Sequence, residues 1–80
     1  MVPFFVQIKC QLGKSYEVAN ALADAEIASE VYSTAGEFDL LAKFYVGEDT
    51  DIGHFVNEKV HKIAGIQDTR TIITFKAFGA

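Results

Sequence analysis

The sequence predicts an α+β fold in which one four-stranded antiparallel sheet carries two helices on one face. Four segments alternate apolar and polar residues with the period of a strand, and two segments repeat apolar residues with the period of a helix. Glycines separate most of these segments. Their order is βαββαβ, and two right-handed crossovers of this kind give the ferredoxin-like sandwich. With 80 residues, the chain is expected to form a single domain over residues 1–80.

The first half of the chain supplies two strands and a helix. The first strand is predicted over Pro3–Cys10, because Phe4 and every second residue after it are apolar. A helix is predicted over Ser15–Ala25, with Ser15 as its N-cap. Its apolar stripe consists of Val18, Ala19, Leu22 and Ala23. A short strand of small and β-branched residues follows over Ala28–Ala35.

The second half begins with a strand over Phe38–Val46. Only the turn Gly36–Glu37 separates it from the preceding strand, so the two are expected to form an antiparallel hairpin. The strongest helical period in the chain then starts near residues 50–51, and Gly65 is expected to end that helix in the left-handed conformation. A last strand is predicted over Gln67–Phe78.

Both faces of the predicted sheet carry apolar side chains, although the helices need only one of them. The second face mixes apolar with polar residues, and such a half-apolar surface favours contact with another protein. We therefore expect the chain to dimerise through this face. Its predicted members are Phe5, Leu41, Tyr45, Ile72 and Phe78, together with Gln7, Lys9, Lys43, Thr74 and Lys76.

Composition excludes several classes of protein. A net charge of −4 and a pI of about 4.9 argue against direct binding of nucleic acid. A single cysteine, Cys10, forms no internal disulfide, and no apolar run reaches the length of a membrane helix. The N-terminus has no signal-peptide pattern. We expect a cytoplasmic protein without metal, cofactor or membrane attachment.

No arrangement of residues in the sequence indicates catalysis. Cys10 falls on the apolar phase of the first strand and is expected to pack in the core. His54 and His61 lie seven residues apart, about two helical turns, which is too far for two metal ligands on one turn. They are expected to be solvated. A histidine on this helix nevertheless keeps open an alternative, a dimeric α+β barrel enzyme of the monooxygenase or haem-degrading type.

The hairpin between the second and third strands is the most informative stretch. Gly36 is expected to provide the positive φ of a turn, and Asp39 follows inside an otherwise apolar strand. A carboxylate in such a position needs a partner, because its desolvation costs several kcal/mol. Two interpretations remain open. Asp39 either accepts hydrogen bonds from backbone amides of its own hairpin or binds the ammonium group of a ligand.

Two motifs together resemble the effector domain of the leucine-responsive regulatory protein/asparagine regulator (Lrp/AsnC) family. The first is the run G-x-F-D-L-L-A over Gly36–Ala42, and the second is the G-I-x-D-T-R-T-I-I strand over Gly65–Ile73. The resemblance extends from Val6 to Phe78. This domain is also called the RAM domain, for regulation of amino acid metabolism.

The resemblance implies a fold, a ligand and an assembly. Members have the βαββαβ fold, pair through their open sheet faces and assemble dimers into rings, commonly octamers, with amino acids bound between dimers. Gly36 and Asp39 match the glycine and aspartate of the family hairpin, and Thr69 and Thr71 match the two threonines of the last strand. Three more residues are expected beside the ligand only because they adjoin these positions in the hairpin, namely Thr34, Glu37 and Phe38.

The sequence departs from complete regulators of this family at its N-terminus. Those regulators carry a helix-turn-helix domain before the effector domain, whereas here Met1 stands directly before the first strand. The chain therefore resembles the stand-alone members. The resemblance implies a non-enzymatic, amino-acid-binding and oligomerising domain in transcriptional regulation, without direct contact with nucleic acid. Two partners stay open, a full-length Lrp/AsnC regulator or some other protein that responds to the amino acid.

Overall fold

A computed structural model describes residues 1–79; Ala80, the last residue of the predicted domain, lies outside the described residues. The element order is the predicted one. In chain order the elements are β1 (Val2–Cys10), α1 (Ser15–Asp24), β2 (Glu30–Ser33), β3 (Leu40–Val46), α2 (Ile52–Phe55), a π-helical turn that continues α2 (Val56–Val60), and β4 (Ile66–Ile73).

The four strands form one antiparallel sheet in the order β2-β3-β1-β4. β1 lies at its centre, paired with β3 on one side and with β4 on the other, while β2 and β4 are the edges. This order confirms the ferredoxin-like sandwich. It also confirms the antiparallel hairpin of β2 and β3, in which Val31 pairs with Ala42.

The core lies between the sheet and the helices, on the face that the alternation predicts. Phe4 and Phe44 stack with their ring centroids 5.2 Å apart, and Phe55 of α2 meets both rings edge-on at 5.9 and 5.7 Å. Such edge contacts stabilise a core beyond the area they bury. The other buried members are Val6, Ile8, Cys10, Val18, Leu22, Leu40, Ala42, Val46, Val56 and Val60.

The second helix differs from the prediction. Its start is as expected, since the Asp51 carboxylate accepts a hydrogen bond from the backbone N–H of His54 at 3.0 Å. After one α-helical turn, however, the chain widens into a π-helical turn, in which the N–H of His61 donates to the carbonyl of Val56 at 2.9 Å. The helix ends there, short of Gly65.

Gly65 does not cap the second helix, although its φ of +98° is in the left-handed region. It lies where the chain passes α1, and its carbonyl accepts a hydrogen bond from the N–H of Gln11 at 2.8 Å. A Cβ at this position would lie 3.0 Å from a methyl carbon of Val18. Gly65 is therefore required by both its backbone conformation and a close approach to α1.

The N-cap of α1 and the extents of β2, β3 and β4 also differ from the prediction. Ser15 is the first residue of α1 rather than its N-cap, a position held by Lys14 without a side-chain hydrogen bond. β2 and β3 are shorter than predicted, and residues 34–39 connect them in place of a tight two-residue turn. β4 ends at Ile73 instead of Phe78. Its last pair with β1 is Ile73 with Phe4, and the next residue of β1 in this register is Pro3, which has no backbone N–H to donate to the ladder.

We call the face of the sheet opposite the helices the open face. Its members follow from the strand registers and include most of the predicted ones: Phe5, Gln7, Lys9, Glu30, Tyr32, Leu41, Lys43, Tyr45, Asp68, Arg70 and Ile72. Three residues predicted for this face, Thr74, Lys76 and Phe78, lie beyond the end of β4. Within residues 1–79, no helix has both the length and the apolar character to cross a bilayer.

Candidate functional site

The connection between β2 and β3 borders a cleft of about 360 Å³ at one end of the open face. Three of its lining residues, Thr34, Glu37 and Phe38, are candidates from the sequence. The cleft is also lined by Gln7, Ala35, Leu41 and Arg70. We call it the hairpin cleft. It therefore combines hydroxyl, acidic, basic and apolar groups in a space suited to a small molecule.

Hydrogen bonds hold the connection in one conformation. The Thr34 hydroxyl donates to the carbonyl of Phe38 at 2.9 Å, and the N–H of Thr34 donates to the carbonyl of Asp39 at 2.9 Å. Gly36 has a φ of +108°, which confirms the expected positive value, and a Cβ there would meet no atom within 4 Å. Gly36 is thus required for backbone conformation and not for close packing.

Asp39 connects this end of the hairpin to the central strand. Its N–H donates to the carbonyl of Ile8 at 2.9 Å, and its Oδ2 accepts from the backbone N–H of Cys10 at 2.7 Å. The partner of the carboxylate is therefore an amide of β1, whereas one interpretation placed it on amides of its own hairpin.

Burial and the nearby Asp39 charge together raise the pKa of the Cys10 thiol. Cys10 itself is a free, buried cysteine, as expected.

Sequence reasoning missed four lining residues of the cleft, Gln7, Ala35, Leu41 and Arg70, and Arg70 is the charged one among them. It lies on β4, where it pairs with Gln7 of β1, and its guanidinium carbon lies 5.3 Å from the centroid of the Phe38 ring. A guanidinium over an aromatic face is stabilised by cation–π attraction and is held in orientation by it. One signal was available in the sequence, because Arg70 is the only arginine and falls on the open-face phase of its strand.

Phe38 lies on the side opposite to the one predicted. The strand pattern groups it with Leu40 and the core, but the chain reaches strand conformation only at Leu40. The Phe38 ring is buried beneath Arg70 in the hairpin cleft and is not part of the hydrophobic core cluster. It forms an apolar wall of the cleft in place of a core contact.

Thr69 and Thr71 lie away from the hairpin cleft. Their register partners on β1 are Ile8 and Val6, both of which face the helices. The Thr69 hydroxyl is 2.7 Å from Nε2 of His61, and it borders a separate depression of about 190 Å³. Within one chain, the structure therefore separates the two threonines from the hairpin candidates by the thickness of the sheet.

A second cluster of polar side chains lies on the open face, outside the hairpin cleft. The Tyr32 hydroxyl donates to Glu30, which also lies 3.9 Å from the Lys43 ammonium. The Lys43 ammonium lies 5.1 Å from the ring centroid of Tyr45 and 5.8 Å from that of Phe5. The hydrogen bond to Glu30 raises the pKa of Tyr32, and interaction with the Tyr45 side chain raises the pKa of Lys43. The open face therefore carries two charged side chains, Glu30 and Lys43, next to its aromatic rings.

Neither histidine lines the hairpin cleft. His54 is exposed on α2, and His61 is exposed at the end of the π-helical turn, where it contacts Thr69. Among residues 1–79, no group of three or more His, Cys, Asp or Glu side chains is placed to hold a metal ion.

Comparison with known proteins identifies a family. The family described as the Lrp/AsnC ligand binding domain matches residues 4–79. The HTH-type transcriptional regulator FL11 of Pyrococcus abyssi is 33% identical over 72 residues, which cover 90% of this chain and 47% of that protein. The chain thus spans about half the length of the curated relatives it matches.

Solved structures agree in fold. The crystal structure of FFRP-DM1 superposes with a TM-score of 0.85 at 33% identity and covers 94% of this chain and 100% of that chain. The transcriptional regulator NMB0573 from Neisseria meningitidis, solved as a complex with L-Met, superposes with a TM-score of 0.83 over 99% of this chain and 53% of that chain. Its sequence identity is 17%, so this likeness shows the fold alone.

Proposed function

The chain belongs to the Lrp/AsnC ligand-binding domain family, and on that premise we propose that it binds an amino acid in the hairpin cleft and oligomerises in response. The observation that carries the proposal is the placement of Arg70 over the Phe38 ring in the same cleft as Glu37. An α-amino acid has a carboxylate and an ammonium group, and this cleft offers a partner of opposite charge for each.

Each group of the ligand has a partner in this proposal. A guanidinium forms paired, charge-assisted hydrogen bonds with a carboxylate, so Arg70 binds the ligand carboxylate. Glu37, whose own carbonyl accepts from the Lys9 ammonium at 3.3 Å, offers its exposed carboxylate to the ligand ammonium. Phe38 and Leu41 form the apolar wall for the ligand side chain.

The remaining candidates serve the site indirectly or from another subunit. Gly36 shapes the turn, and Asp39 ties the hairpin to Cys10 of β1. Thr69 and Thr71 face away from the cleft of their own chain, so we assign them to the ligand site only as residues contributed by a neighbouring subunit. An amino acid bound between subunits would then link ligand to assembly, in a ring of dimers such as an octamer.

We propose that the domain acts without catalysis, in the cytoplasm, as part of transcriptional regulation. The relatives are named as transcriptional regulators, and NMB0573 was solved with L-Met, an amino acid. The domain would reach DNA through a full-length regulator of the same family rather than through its own acidic surface. The sheet-face dimer is supported by the exposed aromatic and aliphatic side chains of the open face, such as Tyr45 and Ile72.

A thermal-shift screen of the proteinogenic amino acids tests ligand binding. A ligand at one hundred times its Kd stabilises the native state by about 2.7 kcal/mol, which raises the Tm of a domain of this size by roughly 10–20 °C. We expect Arg70→Gln to abolish the shift. Lys59→Gln is the matched control, because Lys59 is an exposed cation on the π-helical turn, outside the cleft.

Two outcomes would overturn this assignment. The first is a chain whose Tm responds to no amino acid at millimolar concentration. The second is an Arg70→Gln variant that responds like the unchanged chain, which would leave ligand binding intact but remove it from the hairpin cleft.

A further inference from the structure

Gln7 lines the hairpin cleft from the central strand of the sheet, and the proposed function gives it no role. Its cross-strand partners are Leu41 on β3 and Arg70 on β4. All three side chains line the cleft. Because paired residues place their side chains next to each other on one face of a sheet, these three form a row on the open face. The Gln7 amide is the middle member, between an apolar and a cationic neighbour.

Within residues 1–79, the side-chain amide of Gln7 has no protein partner. Gln7 is half-buried, and none of the side-chain hydrogen bonds of the described chain involves it. An amide offers two N–H donors and one carbonyl acceptor. A ligand that covers this row removes water from those groups. If the ligand leaves them unpaired, binding weakens by about five- to 150-fold, which is the equivalent of their desolvation cost.

The charged groups of the cleft are already assigned to the two charged groups of an α-amino acid. Glu37 and Arg70 are the only charged residues that line the cleft within residues 1–79. Lys9, two residues further along β1, does not line it, and its ammonium donates to the carbonyl of Glu37 at 3.3 Å. A charge on the ligand side chain would therefore enter the cleft without a counter-ion, which is disfavoured where water is excluded.

Arg70 brings the ligand next to the Gln7 amide. Arg70 starts on β4, and its guanidinium carbon lies 5.3 Å from the ring centroid of Phe38, a residue just before β3. Since β1 lies between β3 and β4, the Arg70 side chain crosses β1 beside Gln7. A carboxylate paired with this guanidinium places the rest of the ligand over the same row of side chains.

We propose that Gln7 is the specificity-determining residue of the hairpin cleft and that it selects an α-amino acid with a neutral carboxamide side chain. Two amides pair through reciprocal N–H···O bonds, so this side chain satisfies a donor and the acceptor of Gln7 without adding charge. Leu41, the next member of the row, contacts its methylene carbons. An aliphatic side chain leaves the Gln7 amide unpaired, and an acidic or basic one leaves its own charge unpaired. This inference rests on the proposed function, because it requires an amino acid in this cleft.

A series of ligands tests the selection on the unchanged chain. Isothermal titration calorimetry compares L-glutamine and L-asparagine with L-glutamate, which has the shape of glutamine and a charge, and with L-methionine, which has a similar length and no amide. We expect the better carboxamide to bind about five- to 150-fold more tightly than methionine, and glutamate to bind at least about fivefold more weakly than glutamine. Methionine, glutamate or L-threonine that binds as tightly as the better carboxamide would overturn the proposal.

The substitution Gln7→Leu should remove the preference. Leucine is of similar size but forms no side-chain hydrogen bond, so methionine should bind this variant at least as tightly as glutamine does. Gln11→Leu is the matched control, because it makes the same change at an exposed residue outside the cleft, and it should keep the order of the unchanged chain. An unchanged order in Gln7→Leu would refute the selection. Equal weakening of every ligand would also refute it, since that result assigns the Gln7 amide to the α-carboxylate.

The same titrations distinguish a failure of this inference from a failure of the proposed function. A chain that binds amino acids and loses them in Arg70→Gln, but prefers no carboxamide, would uphold the hairpin cleft and refute Gln7 as its selecting residue. A chain that binds none of the ligands would refute both.

Discussion

Replacing Asp39 by alanine distinguishes a structural from a ligand-binding carboxylate. In the fold, Oδ2 of Asp39 accepts the backbone N–H of Cys10 at 2.7 Å, in a half-buried position at the junction of β1 and β3. Alanine removes the acceptor and leaves that N–H without its partner. Because the loss occurs beside the central strand, it is expected to lower the free energy of unfolding of the whole domain.

The size of the effect follows from the kind of hydrogen bond. A hydrogen bond to a charged group contributes about 1.5–3 kcal/mol to stability. For Asp39→Ala we therefore expect a loss of about 2 kcal/mol, which corresponds to a fall in Tm of roughly 8–16 °C for a domain of this size. Asp39→Asn keeps an oxygen acceptor without the charge and is expected to lose roughly half as much.

The assay is urea unfolding followed by circular dichroism, at one protein concentration for all variants because the stability of an oligomer depends on it. Asp68→Ala is the control, since the Asp68 side chain is exposed and its carboxylate accepts the N–H of the adjacent Thr69. The reasoning would be refuted by an Asp39→Ala variant as stable as Asp68→Ala that has nevertheless lost its amino-acid response. That result would assign the carboxylate to the ligand ammonium.

The Cys10 thiol provides a second, independent measurement. Burial first, and then the Asp39 charge, raise its pKa above the ordinary value of 9.0. The unfolded chain therefore loses this proton at lower pH than the folded chain does. The thiol's contribution to stability is complete below pH 9 and is lost as pH rises through the folded pKa. In Asp39→Asn the pKa of Cys10 should fall towards its ordinary value, measured as a lower midpoint in the pH profile of alkylation. An unchanged midpoint would contradict the coupling.

Three further substitutions test the fold around the site. Gly65→Ala should lower the free energy of unfolding by about 2 kcal/mol, because a φ of +98° strains an alanine and the added Cβ would lie 3.0 Å from Val18. Thermal unfolding measures this loss, and a value below about 0.5 kcal/mol would contradict the prediction. Asp51→Ala removes the acceptor of the His54 N–H and should cost about 1 kcal/mol, measured by urea unfolding; an unchanged midpoint would show that the cap contributes nothing. Phe55→Ala removes the ring that meets the aromatic pair of the core edge-on and should cost about 3 kcal/mol in the same assay; a stability equal to that of the unchanged chain would refute this packing.

Gly36→Ala is the matched control for Gly65→Ala. Both glycines have positive φ, but a Cβ at Gly36 would meet no atom within 4 Å. Gly36→Ala should therefore lose only the conformational part, about 1 kcal/mol. Equal losses at the two positions would show that the approach of Gly65 to Val18 adds no strain.

Alternation predicted the strands and their faces because a slip of one residue would expose every core side chain. Phe4 and Phe44 are therefore buried and stacked, as their strand phases require. The same rule placed Thr69 and Thr71 on the helix side of β4, opposite Arg70. It already separated these threonines from the open face, although the family resemblance grouped them with the hairpin.

Local pattern failed where contacts between distant segments decide the structure. Phe38 continues the apolar alternation of its strand, but its ring lies beneath the guanidinium of Arg70, which lies 32 residues later in the chain. The carboxylate of Asp39 likewise finds its partner on β1. Neither contact has a local signal in the sequence. The sequence therefore located the cleft at the hairpin but did not identify the residues that distant strands contribute to it.

The π-helical turn over Val56–Val60 has a kinetic consequence. The helix that carries Phe55 has one α-helical turn and one wide turn of poorer hydrogen-bond geometry, whereas α1 is regular over ten residues. Opening of the native state should therefore begin at this helix and not at α1. In amide hydrogen exchange, the protons of the π-helical turn would be lost first, and the contact between His61 and Thr69 would break with them.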